Sequence, residues 1–216
     1  LQSGKVFKVE ALVRWQHPQR GLVMPADFIS LAEETGLIHD IGDWVFRESV
    51  RYAVRWRDQF DAEIPVSVNK SPVQFLRQGG GDPWLLYLRE LGVSGNRVMI
   101  EITENFLLHN ETPVMDTFIA YRDCGVQVAL DDFGTGYSSL SYLKKFDIDY
   151  LKIDRSFVNN LAPGSSDLAL AEAIIVMAHK LGLRVIAEGI ETEAQRDLLL
   201  ACGCDFAQGF LFARPM

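Results

Sequence analysis

Two adjacent carboxylates, Asp131 and Asp132, end the apolar run Val128-Ala129-Leu130 and lead into the glycine-rich turn Phe133-Gly134-Thr135-Gly136-Tyr137. Neighbouring side chains on a strand point to opposite faces, so the pair suits a strand end where the backbone begins to turn. Two anions held side by side repel, and a buried charge has to be paired or bound to a cation. A divalent metal ion meets both conditions. A helix cap or a solvated turn would also accommodate an isolated Asp-Asp, so the choice rests on the other polar residues.

Glu10, Asn69, Glu101, Asp131, Asp132, Lys152, Glu188 and Gln208 lie within or at the ends of successive apolar segments. Each has a plain structural explanation when taken alone. Glu10 could pair with Arg14, Asn69 could cap the following turn, Lys152 could snorkel, and Glu188 could open the next helix. Recurrence on strand after strand resists that explanation, because an apolar core does not tolerate converging unpaired carboxylates. Hard oxygen donors with no cysteine or histidine among them point to magnesium or manganese rather than zinc. The four histidines (His17, His39, His109, His179) fall in loop or helix contexts and receive no ligand role. Two metals bridged by one aspartate would clamp the attacking and leaving oxygens of a phosphodiester. Lys152 then suits a cation beside the water or the phosphate, and Glu188 a ligand or the base that takes the water's proton.

The elements that must position these residues alternate along the chain. Strand-like segments span Val6–Trp15, Ile64–Val68, Val98–Ile102, Val126–Leu130, Tyr150–Asp154, Arg184–Ala187 and Phe206–Phe212, with Gln208 inside the last. Between them, helical periodicity runs from Pro25 to Gly36, from about Asp43 to Trp56, in pieces from Ser71 to Leu91, from Pro113 to Gly125 and from Leu168 to Leu181. Gly79-Gly80-Gly81-Asp82-Pro83 breaks the third of these, and the capping box Thr192-Glu193-Ala194-Gln195 opens a last helix that Gly203 stops. Such alternation means a parallel α/β fold. The Ser3-Gly4 turn reads as a hairpin whose first strand is absent, which implies an eighth strand and favours a TIM-like (β/α)8 barrel with its first strand missing from this chain. No Gly-x-Gly-x-x-Gly fingerprint follows a strand, which weakens a dinucleotide-binding sheet. In a barrel the chemistry collects at the C-terminal ends of the strands.

Composition narrows the partners. The chain has 216 residues, 48% of them hydrophobic, and a net charge of −8 with no basic block. That argues against polymeric nucleic acid while leaving room for a small anion held by metals. No apolar run is long enough to span a bilayer and no signal peptide opens the chain. Cys124, Cys202 and Cys204 form neither an even framework nor a metal spacing, and read as reduced core residues of a cytoplasmic domain, whose parent protein is free to be membrane-anchored.

The whole chain resembles the EAL domain family of cyclic di-GMP phosphodiesterases, enzymes of bacterial second-messenger signalling. The resemblance rests on Glu10-Ala11-Leu12 extended through Val13-Arg14-Trp15, on Ser67-Val68-Asn69, and on Glu101-Ile102-Thr103-Glu104. It continues in Asp131-Asp132-Phe133-Gly134-Thr135-Gly136, Lys152-Ile153-Asp154-Arg155-Ser156-Phe157-Val158, Ala187-Glu188-Gly189-Ile190-Glu191-Thr192 and Gln208-Gly209-Phe210.

By that resemblance Glu10, Asn69, Glu101 and Asp131 match the ligands of one metal, and Asp131 and Asp132 those of a second, with Glu188 nearby. Lys152 matches the lysine that contacts the catalytic water. Arg14, Asp154, Glu191 and Gln208 match positions lining the substrate groove. Glu104 matches the glutamate that anchors the glycine-rich loop, which in the family couples dimerisation to metal binding. Gly134 and Gly136 would give that loop a permissive backbone. The resemblance implies two Mg2+ or Mn2+ ions per site, a homodimer, and hydrolysis of cyclic di-GMP to linear pGpG. A non-hydrolysing cyclic di-GMP receptor is the alternative, although the positions that degenerate members lose are intact here. Lys70 stands where the family usually has leucine, and the family's opening Tyr-Gln-Pro strand is absent. The expectation is therefore a single EAL-type domain over residues 1–216, cut from a larger protein with sensory or GGDEF-type flanking domains.

Overall fold

The structure, a computed structural model of the chain, describes residues 1–60, 63–76, 81–104, 106, 111–134, 143 and 146–216. It divides into two compact units. An N-terminal unit comprises Lys8–Glu101 and Thr112–Val126, and a C-terminal unit comprises Leu1–Phe7, Ile102–Glu111 and Gln127–Met216.

In the N-terminal unit, strand β1 (Val9–Ala11) pairs in parallel with β4 (Val66–Asn69), and β4 with β5 (Val98–Thr103, whose last two residues belong to the other unit). The core residues Val66, Val68, Val98 and Ile100 are buried, as in parallel strands covered on both faces. The Val6–Trp15 strand of the sequence reading is much shorter than expected. Residues 12–14 leave it, and β2 (Trp15–His17) and β3 (Gly21–Val23) form a separate antiparallel hairpin. His17 Nδ1 fastens its turn by accepting the N–H groups of Gln19 (3.0 Å) and Arg20 (3.2 Å). Strands of three residues leave too little alternation to be read in advance.

Helices α1 (Ile29–Thr35), α2 (Ile38–Phe60), α3 (Pro72–Phe75), α4 (Pro83–Leu91) and α5 (Glu111–Asp123) complete this unit. Helix α2 begins five residues before the expected Asp43. Gly42, inside the helix, lets Gln74 pack closely: a Cβ there would lie 2.1 Å from Gln74 Nε2, so a larger residue would displace that side chain. Asp82 caps α4 by accepting the Trp84 N–H (2.9 Å), with Pro83 at the first helical position. Phe46 stacks on Trp84 with ring centroids 4.4 Å apart.

Lys70, the departure noted in the sequence, points inward and is 4% exposed. Its ammonium pairs with the Asp82 carboxylate and donates to the Tyr121 hydroxyl at 2.6 Å. It also lies over the rings of Trp84 (4.4 Å), Phe75 (4.8 Å) and Tyr121 (5.3 Å). Burial, then the Asp82 charge, pushes the Tyr121 phenol well above its usual range, so it stays a neutral donor to Asp82.

In the C-terminal unit, β6 (Gln127–Phe133), β7 (Tyr150–Ile153), β8 (Arg184–Ala187) and β9 (Phe206–Ala207) run parallel, β6 to β7, β7 to β8 and β8 to β9. Helices α6 (Ser166–Lys180) and α7 (Glu193–Ala201) follow β7 and β8. The Thr192/Gln195 capping box is formed as read. The last strand, expected to reach Phe212, pairs over only two residues. Gln208 comes just after it, its N–H donating to Ala187 O (2.8 Å) and its carbonyl accepting from Ile190 N–H (3.1 Å). Phe7 stacks on Phe206 with centroids 4.1 Å apart, and residues 1–4 form a turn with no strand of their own. All three cysteines carry free thiols, and burial pushes Cys204 up to about 12. Among the described residues no helix is long and apolar enough to cross a membrane.

Candidate active site

The two aspartates owe their placement to a break in the strand ladder. Leu130 pairs with Leu151 and Phe133 with Ile153, so Asp131 and Asp132 together stand opposite the single residue Lys152. This is a β-bulge, the device that re-aims side chains beside functional sites. The strand does not fray after Leu130 as the sequence suggested; it continues through the bulge to Phe133. Asp132 carries the local distortion. Its φ of 55° is the one left-handed value outside glycine among the described residues, and its N–H donates to Asp131 Oδ1 at 3.0 Å. Aspartate tolerates that region better than most residues, yet it remains strained.

Around the bulge stands a charged cluster. Asp131, Asp132 and Glu188 each present a carboxylate oxygen within 4.8 Å of the others. Lys152, 1% exposed at the centre of β7, donates to Asp131 Oδ2 at 3.0 Å and Glu188 Oε1 at 2.7 Å. Burial of the lysine is tolerable because two carboxylates face it. Three oxygen donors at this spacing, one on a strained backbone, suit a hard divalent cation.

Glu104 reaches the residue that follows the bulged strand: its Oε2 accepts the Gly134 N–H at 3.0 Å. Gly134 has φ of 95°, and a Cβ there would meet the Phe157 ring at 2.9 Å, so no other residue fits without rearrangement. Thr135 and Gly136, the rest of the loop singled out in the sequence, lie outside the described residues, as do Gly79, Gly80 and His109.

The remaining groove candidates sit on loops. Asp154 caps the 3-10 turn Arg155–Phe157 by accepting Ser156 N–H (2.9 Å). Burial alone would raise its carboxyl, but hydrogen bonds from Ser156 and Arg155 and the Arg155 charge hold it below the usual range. Glu191 is exposed, with its N–H on Gln195 Oε1 (2.9 Å).

In the N-terminal unit, Asn69 Nδ2 donates to Glu10 Oε1 at 2.8 Å, and Asn69 is the register partner of Glu101. Arg14 lies in the segment after β1 and donates to Val13 O (2.8 Å). Lys8 was not among the candidates named from the sequence. Its ammonium sits 2.7 Å from Glu101 Oε1, and its place two residues before Glu10 was the available signal.

Comparison with known proteins decides the family. The EAL domain pattern matches residues 1–215. The chain belongs to the EAL domain family. This EAL domain is 42% identical over 214 residues to MucR of Pseudomonas aeruginosa, a protein named as a bifunctional diguanylate cyclase/cyclic di-GMP phosphodiesterase. It is 43% identical over 213 residues to PdeR of Escherichia coli, named as a cyclic di-GMP phosphodiesterase. Each match takes in 99% of this chain but only 31% and 32% of those proteins. Among solved structures, the PaMucR phosphodiesterase in complex with c-di-GMP superposes with a TM-score of 0.90 at 42% identity, covering 97% of this chain and 85% of that one. The TIM-like (β/α)8 fold class expected from the sequence is thereby borne out.

Proposed function

We propose that this EAL domain is a metal-dependent phosphodiesterase that hydrolyses cyclic di-GMP to linear pGpG. The observation that carries the reading is the Lys152 ammonium held between Asp131 and Glu188, beside Asp132 on a strained bulge. The names of the relatives supply the substrate class. The residues proposed to ligate two Mg2+ or Mn2+ ions are Glu10, Asn69, Glu101, Asp131, Asp132 and Glu188. Bound there, the cations would supply Lewis acidity toward a phosphodiester and acidify a water molecule.

The chain's own residues do the rest. Lys152 directs its N–H groups at the carboxylates and, beside them, orients a water or stabilises charge building on phosphate oxygens. Glu188, hydrogen-bonded to that ammonium, is placed to accept the water's proton. Arg14, Asp154, Glu191 and Gln208 are the proposed substrate-groove residues. Glu104, through Gly134, steadies the start of the glycine-rich loop, the proposed link to a homodimer. Relatives about three times as long, one with a diguanylate cyclase activity in its name, support flanking domains in the parent protein.

The test is incubation of the protein with cyclic di-GMP and Mg2+ or Mn2+, with calorimetric binding measured in parallel. Release of pGpG that stops on chelation is expected. Tight binding with no product in any metal would replace the enzyme by a receptor.

A further inference from the structure

Lys8 is a sheltered cation to which neither the motifs nor the proposed mechanism gives a task. It stands one residue before β1 and two before Glu10, so alternation along the extended chain gives the two side chains the same face. Its Nζ lies 2.7 Å from Glu101 Oε1 and 3.2 Å from Met99 Sδ. The side chains of Lys8 and Glu101 are 7% and 0% exposed, so solvent and salt screen the pair weakly. Glu101 in turn is the register partner of Asn69, whose amide holds Glu10. A full positive charge thus touches one carboxylate of this set from the side of the chain's own β1.

We propose that Lys8 is an internal counter-cation. It compensates Glu101 while the protein is metal-free and weakens uptake of a divalent cation at that carboxylate. The inference rests on the reading of Glu101 as a metal ligand. An ammonium in contact with a ligand carboxylate competes for the same oxygen and repels an arriving dication, and at low local dielectric that repulsion is large. In the absence of metal the same ammonium offsets the desolvation of a wholly buried carboxylate. Lys8 therefore lets this part of the chain fold before metal arrives and sets the metal concentration at which the site fills.

The experiment measures Mn2+ affinity by calorimetry, and the Mn2+-induced rise in Tm, for the metal-free wild type, Lys8→Gln, Lys8→Arg and Glu101→Gln. Glutamine keeps a donor toward Glu101 without the charge; arginine keeps the charge. Lys8→Gln is expected to bind Mn2+ at least tenfold more tightly than wild type and to gain more in Tm, whereas Lys8→Arg stays within about threefold. Glu101→Gln is expected to bind at least tenfold more weakly. If Glu101→Gln weakens binding but Lys8→Gln matches wild type, the counter-cation role falls and the metal reading stands. If Lys8→Arg tightens binding as much as Lys8→Gln, charge is not the cause and the role falls again. If Glu101→Gln binds as wild type does, the ligand assignment falls and this inference with it.

Discussion

Lys152 and Lys70 are both almost wholly buried lysines, at 1% and 4% exposure, and they have opposite surroundings. Lys152 faces Asp131 and Glu188, with Asp132 alongside on a bulge. Among the described residues Lys70 faces the Asp82 carboxylate, the Tyr121 phenol and the faces of the Phe75, Trp84 and Tyr121 rings. Around Lys152 the carboxylates outnumber the ammonium and the backbone is strained, an arrangement suited to taking up further positive charge. Around Lys70 charge and rings close on the ammonium, an arrangement suited to holding a core together. Burial of a lysine therefore does not mark a site; the surplus of acceptors around it does.

The strongest way to break that contrast is to remove charge from the open cluster. Asp131→Asn should cut turnover of cyclic di-GMP by roughly a thousandfold or more while the far-UV spectrum and Tm stay close to wild type. Near-normal steady-state rates would place the chemistry elsewhere. Lys152→Met should lower turnover by about a hundredfold or more. It should also leave the metal-free protein less stable, with Mn2+ restoring most of the lost Tm, since Asp131 and Glu188 then face each other without their ammonium.

The reverse signature is expected at the closed cluster. Lys70→Met breaks a buried pair and leaves Asp82 without its counter-charge, so denaturant unfolding should show a loss of about 3 kcal/mol. Turnover per folded molecule should stay within twofold. A large loss of rate with unchanged stability would erase the distinction between the two lysines. Glu104→Ala should have a smaller effect, removing the acceptor of the Gly134 N–H and lowering turnover about tenfold with Mn2+ affinity retained. Its measure is the rate set against calorimetric metal binding.

The smallest effect concerns pH. Burial raises the Asp149 carboxyl above its usual value despite the hydrogen bond from Val128 N–H. The folded state then binds this proton more tightly than the unfolded state, so this residue's contribution to stability is fully present below the ordinary carboxylate pKa. It is lost as pH rises through the raised folded value. Asp149→Asn keeps an acceptor for Val128 and removes this fall, so the variant's Tm relative to wild type should rise as pH goes up through the raised value.

Much of this contrast could be read in advance, and the reasons for the gaps are local. Asp131-Asp132, Lys152 and Glu188 are consecutive signals at the ends of apolar runs, and residue chemistry alone grouped them. The bulge was not legible, because an extra residue in a strand shows only against its partner's register. Lys70 could not be oriented from the sequence, since its aromatic surroundings come from segments as distant as Phe75, Trp84 and Tyr121. The β2–β3 hairpin escaped because strands of three residues carry almost no period. Gln208 seemed to lie inside a strand because an apolar run continues past it, while pairing stops at Ala207.

The most direct test of the central claim is a titration of metal-stripped protein with Mn2+, following pGpG release from cyclic di-GMP in wild type and Asp131→Asn side by side. The account predicts no product without metal, saturable restoration in wild type, and almost none in the variant at any Mn2+ concentration. Full turnover in the stripped protein, or equal restoration in the variant, would contradict it.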